Sequence, residues 1–272
     1  MKKLLSLVIC LFTLAFLAGC GNQAATDTEQ AADNSLQAIK DKGKFIVGLD
    51  DGFPPMGFKD EKGEIVGFDI DLAKEAAKRL GVEVEFKPVD WDGVIMTLKN
   101  GDIDMIWNGM TITEERAKQV TFSKPYISNK QIIVVRSNEK NIKAKADLAG
   151  KIIGVQLGSS SEPAVTKSDM GDKVKEVKTY EKNTEALTDL KIGRLDAVVV
   201  DEVVGRYYIA EYPADYVVLS DDFGREMMGI AFRPDDKALA TEIDKILADM
   251  KADGTLKTIS EKWFGTTDIL AE

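Results

Sequence analysis

Apolar and polar positions are laid out along the 272-residue chain in blocks of distinct period. Behind the basic Met1-Lys2-Lys3, Leu4 to Ala18 is an apolar run broken only by Ser6 and Thr13. It is too short and too unevenly flanked to span a bilayer, and it has the form of a secretory signal, so residues 1–19 are expected to be a signal peptide. Residues 21–35, opening Gly21-Asn22-Gln23-Ala24-Ala25-Thr26, are small and polar with no apolar period. They bury too little surface to order themselves, and a flexible tether over 20–35 is expected. Lys44-Phe45-Ile46-Val47-Gly48-Leu49 then reads as a buried strand. Asp69 to Leu80 carries Ile70, Ala73, Ala77 and Leu80 on one stripe, widened by Leu72 and Ala76, and Gly81 is placed to end that helix. Val82 to Phe86 is the next strand, and the alternation continues, which predicts an α/β fold with largely parallel strands.

The pattern repeats. Gly43-Lys44-Phe45-Ile46 returns as Gly150-Lys151-Ile152-Ile153, and Leu98-Lys99-Asn100-Gly101-Asp102-Ile103-Asp104 returns as Leu190-Lys191-Ile192-Gly193-Arg194-Leu195-Asp196. In each copy a helix stops at glycine and a strand follows, so two similar α/β lobes are expected. Open parallel sheets bind ligands beyond the carboxyl ends of their strands. The segments there are Asp50-Asp51-Gly52-Phe53, Asn108-Gly109-Met110-Thr111, Gln156-Leu157-Gly158-Ser159-Ser160, and Asp201. Two lobes facing each other across those ends would form a cleft.

Composition narrows the chemistry. Apolar residues make up 44% and charged residues 30%, with 36 Lys and Arg against 46 Asp and Glu for a formal charge of −10. An acidic surface of that kind argues against a nucleic-acid partner. The absence of His excludes Ser-His-Asp and Cys-His nucleophiles and His-ligated zinc. The two cysteines, Cys10 and Cys20, both lie in the first twenty residues, so no disulfide framework forms. No metal or cofactor is expected.

Thr111-Ile112-Thr113-Glu114-Glu115-Arg116 opens a helix, offers hydroxyls and carries a fixed positive charge. It suits a carboxylate ligand, or it is a helix cap followed by a solvated arginine. Asp201 ends the apolar run Ala197-Val198-Val199-Val200. A buried acid there needs donors or a cation, such as a ligand ammonium, and a helix N-cap is the equal alternative. Phe53, in a turn rich in Gly and Pro, and Trp91, after Pro88-Val89-Asp90, either stack on a ligand or fill a satellite core. Together they describe a site for a free α-amino acid.

Leu17-Ala18-Gly19-Cys20 resembles the lipobox of bacterial lipoproteins, which implies cleavage before Cys20 and lipidation of its thiol. Gly67-Phe68-Asp69-Ile70-Asp71-Leu72-Ala73 and Gly109-Met110-Thr111-Ile112-Thr113-Glu114-Glu115-Arg116 resemble the polar amino-acid family of bacterial ABC-transporter solute-binding proteins. Phe122-Ser123-Lys124-Pro125-Tyr126, Leu148-Ala149-Gly150-Lys151 and Lys262-Trp263-Phe264-Gly265 extend the resemblance over about 36–266. It implies a periplasmic-binding-protein type II fold. Lobe 1 would comprise 36–128 plus 225–272 and lobe 2 would comprise 129–224, joined by two strands crossing near 128 and 224. It further implies that Arg116 holds the ligand carboxylate with Gly109, Thr111 and the backbone around Ser159 and Ser160. Asp201 would hold the ammonium, Phe53 and Trp91 would sandwich the side chain, and Asp50 and Gln156 would meet its far end. Asn108 and Trp107 stand where relatives often have small residues, which would change the pocket's size. Asp50 and Asp51 favour a Lys-, Arg- or Gln-like side chain, with cystine as an alternative.

The expected protein is a monomer on the extracytoplasmic face of the cell membrane, held there by lipid alone, that passes a polar amino acid to the transmembrane subunits of an ABC permease. A cyclohexadienyl-dehydratase-like enzyme on the same scaffold is the alternative, with Asp50, Asp51 and Glu162 as its only candidate acids.

Overall fold

The computed structural model describes residues 33–271. The expected signal peptide over 1–19, the lipidation site Cys20, and the tether up to residue 32 lie outside the described residues. The chain is already docked at Asp33, short of the expected end of the tether at 35. Asp33 accepts hydrogen bonds from the N–H of Ser35 (2.9 Å) and of Ala238 (2.5 Å). Asp236, at the N-cap of the helix holding Ala238, makes no side-chain capping bond, so Asp33 supplies the acceptor from outside.

The first half runs α1 (Ser35–Lys42), β1 (Lys44–Leu49), a small antiparallel sheet of β2 (Gly52–Phe53), β3 (Gly57–Lys59) and β4 (Ile65–Val66), then α2 (Phe68–Leu80) and β5 (Glu83–Pro88). A 3₁₀ turn at Trp91–Gly93 enters α3 (Val94–Lys99), followed by β6 (Met105–Thr111), α4 (Glu114–Ala117) and β7 (Thr121–Phe122). The long β8 (Ile127–Arg136) leads to β9 (Ile152–Gln156), α5 (Ser161–Thr166), β10 (Glu176–Tyr180), α6 (Asn183–Lys191), β11 (Ala197–Asp201) and α7 (Glu202–Glu211). β12 (Tyr216–Phe232) returns the chain to the first half, where α8 (Lys237–Ala252) and α9 (Thr255–Phe264) pack.

β1 and α2 form nearly as their patterns predict. The second strand begins at Glu83 rather than Val82 because the Val82 N–H bonds back to Ala77 O at 3.0 Å, closing the end of α2. α2 buries Phe68, Ile70, Leu72, Ala73, Ala76 and Ala77. Truncating the fully buried Leu72 to Ala would cost about 2–5 kcal/mol through lost burial and the cavity left.

The strands join into one sheet of order β10-β9-β11-β8-β12-β6-β1-β5. β1 pairs parallel with β5 and β6, and β9 pairs parallel with β10 and β11. β8 and β12 run antiparallel to each other and to the third strand of each half. Each half therefore has the same plan of second, first and third strand plus one crossing strand, as the sequence repeat anticipates.

The repeat extends to side chains. Asp104 Oδ2 accepts from the Ile46 N–H and Asp196 Oδ2 from the Ile152 N–H, both at 2.8 Å. Arg233 donates to Ile103 O (2.8 Å) and Arg136 to Leu195 O (2.6 Å), so each crossing strand ends in a guanidinium that pins one half's loop. Gly48 and Gly154 are equivalent too. A Cβ on Gly48 would lie 2.3 Å from Ile103 Cδ1, and one on Gly154 would lie 2.4 Å from Leu195 Cδ1, so at both a larger residue would force the facing side chain to move.

Candidate ligand-binding site

The carboxyl ends of β1, β6, β9 and β11 deliver Asp50, Thr111, Gln156 and Asp201 to one narrow cleft. Nine of the eleven predicted site residues line it: Phe53, Trp91, Gly109, Thr111 and Arg116 from the first half, and Gln156, Ser159, Ser160 and Asp201 from the second.

The solvated reading of Arg116 does not hold, although the helix cap does. Thr113 caps α4, accepting from the Arg116 N–H at 3.1 Å, yet the Arg116 side chain turns inward and is only 9% exposed. Nη1 donates to Thr111 O and Nη2 to Gly158 O in the other half, both at 2.9 Å. The guanidinium carbon lies 5.9 Å from the Trp91 ring centroid, within cation–π range. Burial pulls this guanidinium's pKa down, while Asp201, Glu226 and Glu115 oppose the shift.

Asp201 also occupies an N-cap position, that of α7, but makes no side-chain capping bond. Its carboxylate, 4% exposed, instead accepts from Asn129 Nδ2 (2.7 Å) and Gln131 Nε2 (2.8 Å) on β8. Burial, reinforced by the neighbouring Glu226 carboxylate, pushes its pKa well above the ordinary range. Ser160 Oγ stands 3.1 Å from Thr111 Oγ1 across the cleft, whereas Ser159 Oγ donates to its own loop at Gln156 O (2.7 Å).

Phe53 and Trp91 lie parallel, with an interplanar angle of 5° and centroids 6.4 Å apart. Gly109 lies beneath them at φ +61°, and a Cβ there would meet Phe53 Cε1 at 3.0 Å. Its N–H donates to Asp69 Oδ2 at 2.8 Å, and the Tyr126 hydroxyl donates to the same oxygen at 2.8 Å. Complete burial still drives the Asp69 pKa up to about 7.

At the far end, Gln156 Nε2 donates to Asp50 Oδ2 (2.7 Å), and Asn183 Nδ2 donates to Gln156 Oε1 (3.1 Å), which orients the amide. Asp50 and Asn108 stand just behind the lining. Asn108 Oδ1 accepts the Asp50 N–H at 3.0 Å and supports that turn. Trp107 is fully buried against Tyr126 in the core of the first half, so it does not set the pocket's size. Asp51 is taken by Lys59 and Lys182, each at 2.5 Å. That ion pair again ties one half to the other.

The space left between these residues is only about 10 Å³, room for roughly one water, so the halves are closed on each other. Sequence reasoning missed Glu226, Asn129 and Gln131, which stand behind the lining and bond to Thr111, Ser160 and Asp201. The usable signal was the period of two in Ile127-Ser128-Asn129-Lys130-Gln131, which turns Asn129 and Gln131 to one face of the strand.

The fold and its cleft define an α/β protein of the periplasmic-binding type II class, two lobes on a two-strand hinge with the ligand cleft between them. Residues 45–266 match the bacterial extracellular solute-binding proteins, family 3, and the chain belongs to that family. It is 35% identical over 253 residues to the L-cystine-binding protein TcyJ of Escherichia coli (strain K12), covering 93% of this chain and 92% of that protein. An ancestral arginine-binding protein, solved with arginine and with glutamine bound, is 50% identical with a TM-score of 0.78, over 82% of this chain and 99% of that one. An ancestral amino acid-binding protein described as a precursor of cyclohexadienyl dehydratase, AncCDT-1, is 42% identical with a TM-score of 0.79, over 85% and 99% of the two chains.

Proposed function

We propose that this chain is the extracytoplasmic substrate-binding lipoprotein of an ABC importer, taking up a polar L-amino acid of the Arg, Lys or Gln type or cystine. Residues 1–19 are removed, Cys20 carries the lipid, and the segment to about residue 32 tethers the folded unit to the membrane. Lobe 1 (36–128 plus 225–272) and lobe 2 (129–224) close as a clamp, and the monomer presents its cargo to the permease's transmembrane subunits. Among the described residues no helix is long and apolar enough to cross a membrane.

The observation that carries this reading is the pairing in one cleft of a buried Arg116 from one half with a buried Asp201 from the other. Arg116, with Thr111 and the backbone at Ser160, receives the α-carboxylate, and Asp201 receives the α-ammonium. Phe53 and Trp91 flank the side chain, and Asp50 with Gln156 meets its polar end. Ligand contacts spread over both lobes favour the closed form by their differential affinity, so binding drives closure. The cargo leaves chemically unchanged. Each candidate acid of the enzyme alternative is engaged within the protein: Asp51 is paired with two lysines, Glu162 accepts the Gly158 N–H at 3.3 Å, and Asp50 accepts from the Gly52 N–H and Gln156 Nε2.

Differential scanning fluorimetry against the twenty amino acids, ornithine and cystine, followed by isothermal titration of the hits, tests the proposal. A melting shift with one or more polar amino acids is expected. No shift with any of them, or turnover of a cyclic dienoate acid, overturns it.

A further inference from the structure

Glu226 lies on β12 opposite Asn129 of β8, where the two crossing strands pass between the lobes. Its Oε1 is within hydrogen-bonding distance of Thr111 Oγ1 (2.8 Å), Asn129 Nδ2 (2.8 Å), Gln131 Nε2 (2.7 Å) and Ser160 Oγ (3.2 Å). The same two amide nitrogens, on Asn129 and Gln131, also donate to Asp201 Oδ1. Two carboxyl groups thus converge on one pair of donors. The Ser161 hydroxyl donates to Gln131 Oε1 at 2.5 Å and so holds that amide with its nitrogen toward the acids.

The site is short of positive charge. Among the described residues neither Asp201 nor Glu226 has a cationic group within 4.0 Å, and the Arg116 guanidinium directs two of its N–H donors to the carbonyls of Thr111 and Gly158 instead. A buried acid beside a half-buried one, with no cation against either, is costly. The upward shift at Asp201 fits that arrangement.

We propose that Glu226 is a second anionic ligand for the cargo's α-ammonium, sharing it with Asp201. The proposal rests on the amino-acid reading above. An ammonium has three N–H donors, and the Asp201 and Glu226 carboxylates, which already share the Asn129 and Gln131 amides, offer it acceptors from two strands. The hinge strand thereby contributes a contact of its own, and the pocket selects for a free primary amine rather than for any carboxylate of matching side chain.

Glu226→Gln keeps the shape and an acceptor oxygen but removes the charge. Wild type and E226Q are titrated calorimetrically with L-arginine, L-glutamine and L-cystine and with their des-amino counterparts, 5-guanidinopentanoic acid, glutaramic acid and 3,3′-dithiodipropionic acid. E226Q weakens the amino acid that wild type binds by about tenfold or more and leaves its des-amino counterpart within about twofold. Equal weakening of both members of a pair makes Glu226 merely structural and overturns the proposal, as does unchanged affinity for the amino acid. If wild type binds none of the three, the same comparison is made with the polar amino acid that the melting-shift screen returns; failure of that whole screen strikes the amino-acid reading itself, which the other outcomes leave standing.

Discussion

Gln156 and Asp50, 106 residues apart in sequence, meet across the cleft in a buried 2.7 Å hydrogen bond from Nε2 to Oδ2. The contact closes the end of the cleft proposed above to take a ligand side chain. Burial raises the Asp50 pKa, against its bonds from Gly52 and Gln156, so the acid is primed to gain from a cationic group.

Asp50→Asn is therefore expected to cut affinity for L-arginine by about tenfold or more while leaving L-glutamine within about threefold, because only the first relies on charge. Calorimetric titration of both ligands against both proteins measures the ratio. A parallel loss for the two ligands would assign Asp50 a role in the turn rather than in selectivity.

Arg116→Ala removes the only guanidinium in the cleft lining and should weaken binding by roughly 2–5 kcal/mol. Arg116→Lys should recover little of this, since a single ammonium does not reproduce the planar fork that reaches both Thr111 O and Gly158 O. Because Gly158 belongs to the opposite half, small-angle scattering of ligand-free R116A should show a more open average shape than wild type.

Gly109→Ala combines a positive-φ backbone with a Cβ at 3.0 Å from the Phe53 ring. A loss of stability of about 1–3 kcal/mol is expected, read by thermal denaturation. Ligand affinity should fall with it, because displacing Phe53 breaks its parallel alignment with Trp91. Preserved affinity would show that the stack is not part of the pocket.

Asp69 supplies a pH test. Its folded pKa is raised to about 7 from 3.8 by complete burial, so between those values the folded chain holds a proton that the unfolded chain has lost. Stability from this group is complete below about pH 4 and falls as pH rises to about 7, by up to about 4 kcal/mol. Asp50, Asp201, Asp236 and Asp244, also raised by burial, act in the same direction. Urea denaturation of Asp69→Asn between pH 4.5 and 7.5 should therefore give a shallower decline than wild type, though not a flat one. An identical slope would mean that Asp69 ionises normally.

Much of this was legible in the chain. The run Lys44–Leu49 is a strand to the residue, α2 starts one residue before its predicted stripe, and the carboxyl ends of β1, β6, β9 and β11 converge as parallel strands require. The repeated motifs reappear as equivalent bonds from Asp104 and Asp196. Two ambiguities were not legible. Arg116 and Asp201 sit beside helix starts, and local sequence has the same form whether such a side chain caps, faces water or turns inward.

Periodicity, glycine placement and charge are local quantities, acting within a turn or a strand. They were enough to determine this protein's elements, their α/β order and the strand ends at which a ligand would sit. Glu226 follows Asp221, Asp222 and Arg225 in a stretch with no motif to single it out, and Asp51 reads as a second ligand acid. Only the tertiary structure turns the first onto Asn129, Gln131 and Asp201 and hands the second to Lys59 and Lys182. The partners lie up to 131 residues apart, and a buried charge is decided by whatever the closed fold brings within about 3 Å of it.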